Sequence, residues 1–198
     1  MLSLQEQLQI NNIELSVRTG QEIRVYADLL EDYEAGKLLT LANSHYVLLE
    51  FPSNRVPQNI ENLLYELQIL NITPVMAHPE RNLELANNPD RLWELVQSGA
   101  RSQVTAHSIN GLFFGKKVQR AALDICERNL AHVIASDVHN TGPRDYGLQQ
   151  AFDLIGTRLG PDYADYYKKT MHSRSLILYL YPYGSRRRLR NNGIVFWS

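Results

Sequence analysis

Three apolar runs in this sequence each stop at a polar donor, and that pattern narrows the folds open to the chain. Val75-Met76-Ala77 leads into His78-Pro79-Glu80-Arg81-Asn82. Val133-Ile134-Ala135-Ser136 leads into Asp137-Val138-His139-Asn140. Tyr46-Val47-Leu48-Leu49 leads into Glu50-Phe51-Pro52. Short, continuously apolar runs suit strands covered on both faces, as in a parallel sheet. Parallel sheets gather their ligands at the C-terminal strand ends. Hard oxygen and nitrogen donors delivered to one rim point to a divalent metal site there.

Helical signals lie between these runs. Residues 27–35 read as a short acidic helix ended by Gly36. Ile60, Leu63, Leu64, Leu67 and Leu70 form a stripe of helical period. Asn88-Pro89-Asp90 opens a helix, with Asn88 as the cap, Leu92, Leu95 and Val96 facing inward, and Gly99 at its end. Residues 102–106 form a weaker strand, and residues 116–128, 146–158 and 162–169 read as helices. At the start, Leu2, Leu4, Leu8 and Ile10 mark the end of an amphipathic helix, and residues 13–17 alternate like a strand. Residues 20–25 follow a turn and carry the carboxylate of Glu22 inward.

Strands that alternate with helices predict an α/β fold with right-handed crossovers. The 198 residues suit one domain, taken as residues 1–170. A closed eight-unit barrel needs about 250 residues, whereas only five or six strand–helix units are legible. From residue 171 to 198 the pattern fails. A tyrosine-rich stretch precedes Arg186-Arg187-Arg188-Leu189-Arg190, an irregular basic tail that reads as disordered or poorly packed. A patch for anionic lipid and a frameshifted end are the alternatives.

A formal net charge of −1 gives no electrostatic case for nucleic acid. The apolar run at 176–181 is far too short to span a bilayer, and no signal peptide is visible. The lone Cys126 excludes an internal disulfide, so a reducing, cytoplasmic location is expected. Cys126 lies within a helical stretch and lacks an arginine six residues on, where His132 stands. A cysteine-phosphatase nucleophile is thereby excluded. No phosphate-binding glycine loop or serine elbow is present.

Asp137-x-His139 puts both donors on one side of an extended segment, because strand side chains have period two. Glu50 and His78 come from other strands and Glu22 from a further position. Mixed carboxylate and imidazole donors suit Mn²⁺, Fe²⁺ or Zn²⁺ better than Ca²⁺. Each residue alone also has a structural reading: a strand-end glutamate caps a helix, and a histidine before proline packs. Arg81 fits a phosphoryl oxygen, or an ion pair with Glu80 or Glu84. Among the other histidines, His45 is expected to be solvated and His132 structural. His107 lies close enough to the rim for a substrate role, and His172 belongs to the tail.

The segments Gly20-Gln21-Glu22-Ile23-Arg24, Leu49-Glu50-Phe51-Pro52, Ala77-His78-Pro79-Glu80-Arg81-Asn82 and Ala135-Ser136-Asp137-Val138-His139-Asn140 occur together and in this order. In this the chain resembles the PHP (polymerase and histidinol phosphatase) protein-tyrosine phosphatases of bacterial capsule and exopolysaccharide operons, over about residues 5–170. The resemblance implies a distorted (β/α) barrel. It also implies two or three metal ions, usually Mn²⁺, and hydrolysis of phosphotyrosine on a bacterial tyrosine kinase, without a covalent intermediate. It makes Glu22, Glu50, His78, Asp137 and His139 metal ligands, and Arg81, Asp137 and His139 catalytic. Family members open with a His-x-His strand, and this sequence contains no His-x-His. The expectation is therefore an incomplete barrel, truncated at its N-terminus, with fewer or more weakly held ions. An inactive remnant or phosphotyrosine-binding fragment, and a small-molecule phosphatase of the histidinol phosphatase kind, are the alternatives.

Overall fold

A computed structural model of the chain describes residues 4–13, 17–139 and 146–172. The basic tail at 173–198, Asn140 and most of the strand expected over 13–17 lie outside these described residues.

The architecture is α/β. Five strands, β1 (Glu22–Arg24), β2 (Tyr46–Glu50), β3 (Thr73–Ala77), β4 (Arg101–Thr105) and β5 (Val133–Ala135), form one sheet in that order. Every neighbouring pair is parallel. Strands laid down in chain order and one direction are the winding of a barrel rather than of a doubly wound sheet. The connections carry α2 (Leu29–Glu34), α3 (Ile60–Ile69), α4 (Leu83–Asn87), α5 (Pro89–Gln97), α6 (Ala106–Asn110) and α7 (Gly115–Glu127). Helices α8 (Leu148–Arg158) and α9 (Pro161–His172) follow β5, and α1 (Leu4–Ile10) precedes β1. No helix among the described residues is long and apolar enough to cross a membrane.

Strand periodicity splits the core in two. Val47, Leu49, Met76, Val104 and Ile134 point toward the helices and pack with Leu64, Leu67, Leu92, Ile125 and Ile155. Tyr46, Leu48, Val75, Ala77 and Val133 point the other way and form a second, smaller cluster with Leu41. Burial on both faces explains why the strands read as unbroken apolar runs. Cys126 is a buried core residue of α7, and the closed, apolar site pushes its thiol pKa up to about 12.

Local details differ from expectation for physical reasons. Ala106 does not extend β4; the chain turns there into α6. Helices α4 and α6 span five residues each, too short to leave a helical period. Asn88 sits at the start of α5 but makes no side-chain cap bond. The capping asparagine is Asn82, whose Oδ1 accepts from the Leu85 N–H of α4 at 3.0 Å. Leu70 ends α3 largely exposed, outside the buried stripe. His45 is half-buried against Tyr46 rather than solvated, and that burial lowers its pKa.

His132 is a structural residue. Its backbone N–H donates to the Ser102 carbonyl at 3.0 Å, and its Nδ1 accepts from the Ser102 N–H at 3.1 Å. Burial, and then the charge of Arg101, push its pKa down to about 4. In the unfolded chain a histidine takes its proton near pH 6.5. As pH falls from 6.5 toward 4, the unfolded state gains a proton that the folded state refuses, so stability is lost. His132→Asn keeps an acceptor for the Ser102 N–H and removes the titration. Urea unfolding across this window is expected to show a shallower loss of stability in the variant than in the natural chain. An unchanged slope contradicts the assignment.

Candidate metal centre

Register explains how carboxylates from two strands meet. Glu22 pairs with Leu48, and Leu48 with Val75, so all three share a face. Glu50 lies two residues beyond Leu48 and points the same way. Both glutamates therefore project on the side of the smaller apolar cluster, Glu50 from the end of its strand and Glu22 from the start of its own. His78 breaks the period. It follows β3 in the left-handed region, with φ 34° and ψ 55°, and starts the 3-10 turn Pro79–Arg81. A non-glycine residue held there stores on the order of 1–2 kcal/mol of strain.

Each of Glu22, Glu50 and His78 offers one donor atom, and the three atoms lie within 4.8 Å of one another. A divalent ion bonded at about 2.1 Å puts adjacent ligand atoms roughly 3 Å apart and opposite ones roughly 4.2 Å apart. The observed spread needs only a small closure, and the mixed oxygen and nitrogen set suits a transition-metal ion. His78 Nε2 and Glu22 Oε1 are hydrogen-bonded at 2.8 Å. Burial disfavours the imidazolium of His78, but the bond to Glu22 and the nearby charges of Glu80 and Glu22 outweigh it, and its pKa rises.

The same residues line a cavity of about 440 Å³, together with Arg81, Asp137 and His139. Asp137 and His139 stand outside the cluster of three. They do not reach the cavity by strand alternation. β5 ends at Ala135, and Asp137 has φ 52°, so the extended period stops before the motif does. His139 Nδ1 and the Asp137 carbonyl are hydrogen-bonded at 2.8 Å, and Nδ1 lies 3.7 Å from Asp137 Oδ1. The His139 side chain is 53% exposed, that of Asp137 12%.

Arg81 pairs with neither Glu80 nor Glu84. Its Nη2 donates to Asp137 Oδ2 at 2.7 Å and to Thr105 Oγ1 at 2.8 Å. Its Cζ stands 4.0 Å from the centre of the Phe114 ring, a cation–π contact. Thr105 and Ser108 hydroxyls are 2.8 Å apart. Glu80, with 0% of its surface exposed, accepts from both the N–H and the hydroxyl of Thr105, at 3.1 and 2.9 Å. A glutamate is rarely buried so completely unless hydrogen-bonded. Glu84 instead accepts from the Val56 N–H at 2.9 Å. Asn82 donates to the carbonyls of Pro52 and Arg55 at 2.7 and 2.9 Å, fixing the chain after β2 against the end of β3.

Thr105, Ser108 and Phe114 left no mark in the sequence as site residues. The buried role of Glu80 was hidden inside a motif whose histidine and arginine drew the chemistry. His107 is buried in α6, edge-on to Phe113 with ring centres 5.9 Å apart, and does not line the cavity.

A family model described as capsular polysaccharide synthesis, CpsB/CapC, matches residues 1–173. The tyrosine-protein phosphatase YwqE of Bacillus subtilis (strain 168) is 41% identical over 159 residues, which cover 80% of this chain and 62% of YwqE. The tyrosine-protein phosphatase CpsB of Streptococcus pneumoniae is 37% identical over 151 residues, 74% of this chain and 62% of CpsB. The chain thus spans about three fifths of the length of these curated relatives. A solved chain from crystal structures of YwqE and CpsB, described as unique metal-dependent tyrosine phosphatases, superposes with a TM-score of 0.79 at 39% identity. That match covers 84% of this chain and 67% of the other.

Thr105→Val keeps the shape at the end of β4 and removes the hydroxyl that joins Glu80 to Arg81. The buried carboxylate then loses a donor and the guanidinium an acceptor. Denaturant titration is expected to show a loss of about 1–3 kcal/mol. A variant as stable as the natural chain would show that the network contributes nothing to folding.

Proposed function

The chain belongs to the CpsB/CapC family of capsular polysaccharide synthesis, and on that premise we propose that it is a metal-dependent protein-tyrosine phosphatase. One observation carries the reading most directly. Donors from β1, β2 and the turn after β3 converge within 4.8 Å, in a cavity that also holds a guanidinium. The names of its relatives supply the substrate class, phosphotyrosine. The family description supplies the setting, so the substrate proposed is a phosphorylated bacterial tyrosine kinase serving capsule or exopolysaccharide synthesis. A cytoplasmic site of action goes with this reading, in keeping with the single buried thiol of Cys126.

Glu22, Glu50 and His78 would hold a divalent ion, with Mn²⁺ the proposed choice, and Asp137 and His139, which line the same cavity, would supply further donors. When bound, such an ion supplies Lewis acidity toward phosphoryl oxygen and lowers the pKa of water. The protein's own groups do the rest. Arg81 is oriented by Thr105 and by the Phe114 ring, so its planar fork is set before substrate arrives. A phosphoryl oxygen would take the place on Arg81 that Asp137 occupies, and Asp137 would turn to the cation. When Nδ1 of His139 donates to the Asp137 carbonyl, Nε2 is left to serve as the metal donor at the cavity mouth. Hydrolysis adds the oxygen of one water to phosphorus and breaks the ester bond; one of that water's protons ends on the departing phenolate oxygen and inorganic phosphate is the other product.

The test is hydrolysis of a phosphotyrosine peptide by the full chain. Activity is expected to require added Mn²⁺ and to vanish with chelator. Changing an outer partner of a metal ligand typically costs about 10–100-fold, so Glu50→Gln is expected to cost on the order of a hundredfold or more. Equal activity in Glu50→Gln and the natural chain, or no hydrolysis with any divalent ion, overturns the proposal.

A further inference from the structure

We propose that the loop Leu112-Phe113, beside Arg81, is a subsite for the aromatic ring of the substrate, and that it makes the site selective for aryl over alkyl phosphates. The inference rests on the phosphatase reading and adds the group that would distinguish one phosphate ester from another.

The loop joins α6 to α7 and is pinned at both ends. Gly111 closes α6 with φ 71°, and Gly115 opens α7 with φ 79°. Both values are in the left-handed region, where glycine is unstrained. Gln119 Nε2 donates to the Ile109 carbonyl at 2.8 Å and ties α7 back to α6. Between these anchors stand three large apolar side chains in a row. Phe114 is committed, since its ring is half-buried beneath the Arg81 guanidinium. Phe113 rests on Phe114 at 6.2 Å and on the buried His107 ring at 5.9 Å, yet it is 47% exposed. Leu112 is 78% exposed. The loop thus holds a firmly backed aromatic surface open to water next to the proposed anion-binding group.

The length scale suits a phosphorylated phenol. A phosphoryl group bound to a guanidinium through N–H···O contacts of about 2.8 Å places an ester-linked ring roughly 8 Å from the guanidinium carbon. The steps from that carbon to Phe114, and from Phe114 to Phe113, are 4.0 and 6.2 Å. The loop lies outside the cavity lining and joins it through the Arg81–Phe114 contact, so an aryl ring that leaves the guanidinium on the Phe114 side can meet Phe113 in the offset or edge-on contact that aromatic pairs prefer, at roughly 4.5–7 Å. The side chain of an alkyl phosphate ends short of it and gains nothing. Leu112, beyond Phe113, would cover the ring edge from water.

Two non-hydrolysable anions separate the ring from the charge. Binding of phenylphosphonate and methylphosphonate to the full chain in Mn²⁺ is measured by calorimetry, for the natural sequence and for a Leu112→Ser, Phe113→Ala double variant. Neither substitution touches the proposed metal donors or Arg81. The natural chain is expected to prefer phenylphosphonate by about three- to tenfold, the range that one aromatic contact supplies. The variant is expected to bind both equally while its methylphosphonate affinity stays unchanged, which also shows that it is folded. Equal affinities in the natural chain, or a preference that survives in the variant, overturn the aryl subsite and leave the phosphatase reading standing. Failure of both phosphonates to bind the natural chain overturns that reading and the subsite with it.

Discussion

Two carboxylates, from Glu22 and Glu50, are held no more than 4.8 Å apart at the rim of the sheet, and everything proposed for this protein follows from that placement. Like charges at that range repel by about 3 kcal/mol at a protein surface. Folding does not gather them for nothing, because register alone could have turned either side chain to solvent. The imidazole of His78 answers part of the repulsion through its bond to Glu22. A divalent cation would answer all of it, and the three donors already stand close to the spacing that such an ion requires.

The fold's contribution is to make this convergence stiff. The strands are short, parallel and buried on both faces, so their ends are fixed relative to one another. Asn82 ties the end of β3 to the chain that follows β2. Glu80, buried below, sets Thr105, and Thr105 sets Arg81. The guanidinium is therefore positioned by an acid that lines no part of the cavity. Asp137 sits between two claims. It pairs with Arg81 at 2.7 Å, and its place on the cavity wall would let it serve a bound ion as well. That dual position links the cation to the freedom of Arg81: an ion that drew Asp137 away would leave the guanidinium ready for a phosphoryl oxygen.

Much of this was legible in the residues. β3 and α3 lie where the apolar runs and the helical stripe placed them, because buried parallel strands and amphipathic helices leave strong periodic signatures. Glu50 and His78 stood out as polar donors at the ends of apolar runs, with Arg81 three residues further on, whereas Glu22, at the start of β1, was marked by the family motif around it. What was not legible depends on tertiary geometry. A left-handed backbone is uncommon outside glycine, and although His and Asp adopt it more readily than most residues, no local signal announces it at His78 and Asp137. The reading of Asp137 and His139 as successive strand positions failed for that reason. Glu80 reads as an ion-pair partner for Arg81 and is instead wholly buried against Thr105. Thr105, Ser108 and Phe114 carry no mark of function until the chain folds them around Arg81.

The proposed activity turns on where a divalent ion binds. Crystals of the full chain grown with Mn²⁺ and measured near the manganese absorption edge give the most direct view. An anomalous-scattering peak is expected within bonding distance, about 2.0–2.3 Å, of donor atoms from Glu22, Glu50 and His78 together. A cavity that stays empty at saturating Mn²⁺, or a peak bound elsewhere with these three side chains still turned only to one another, would contradict it.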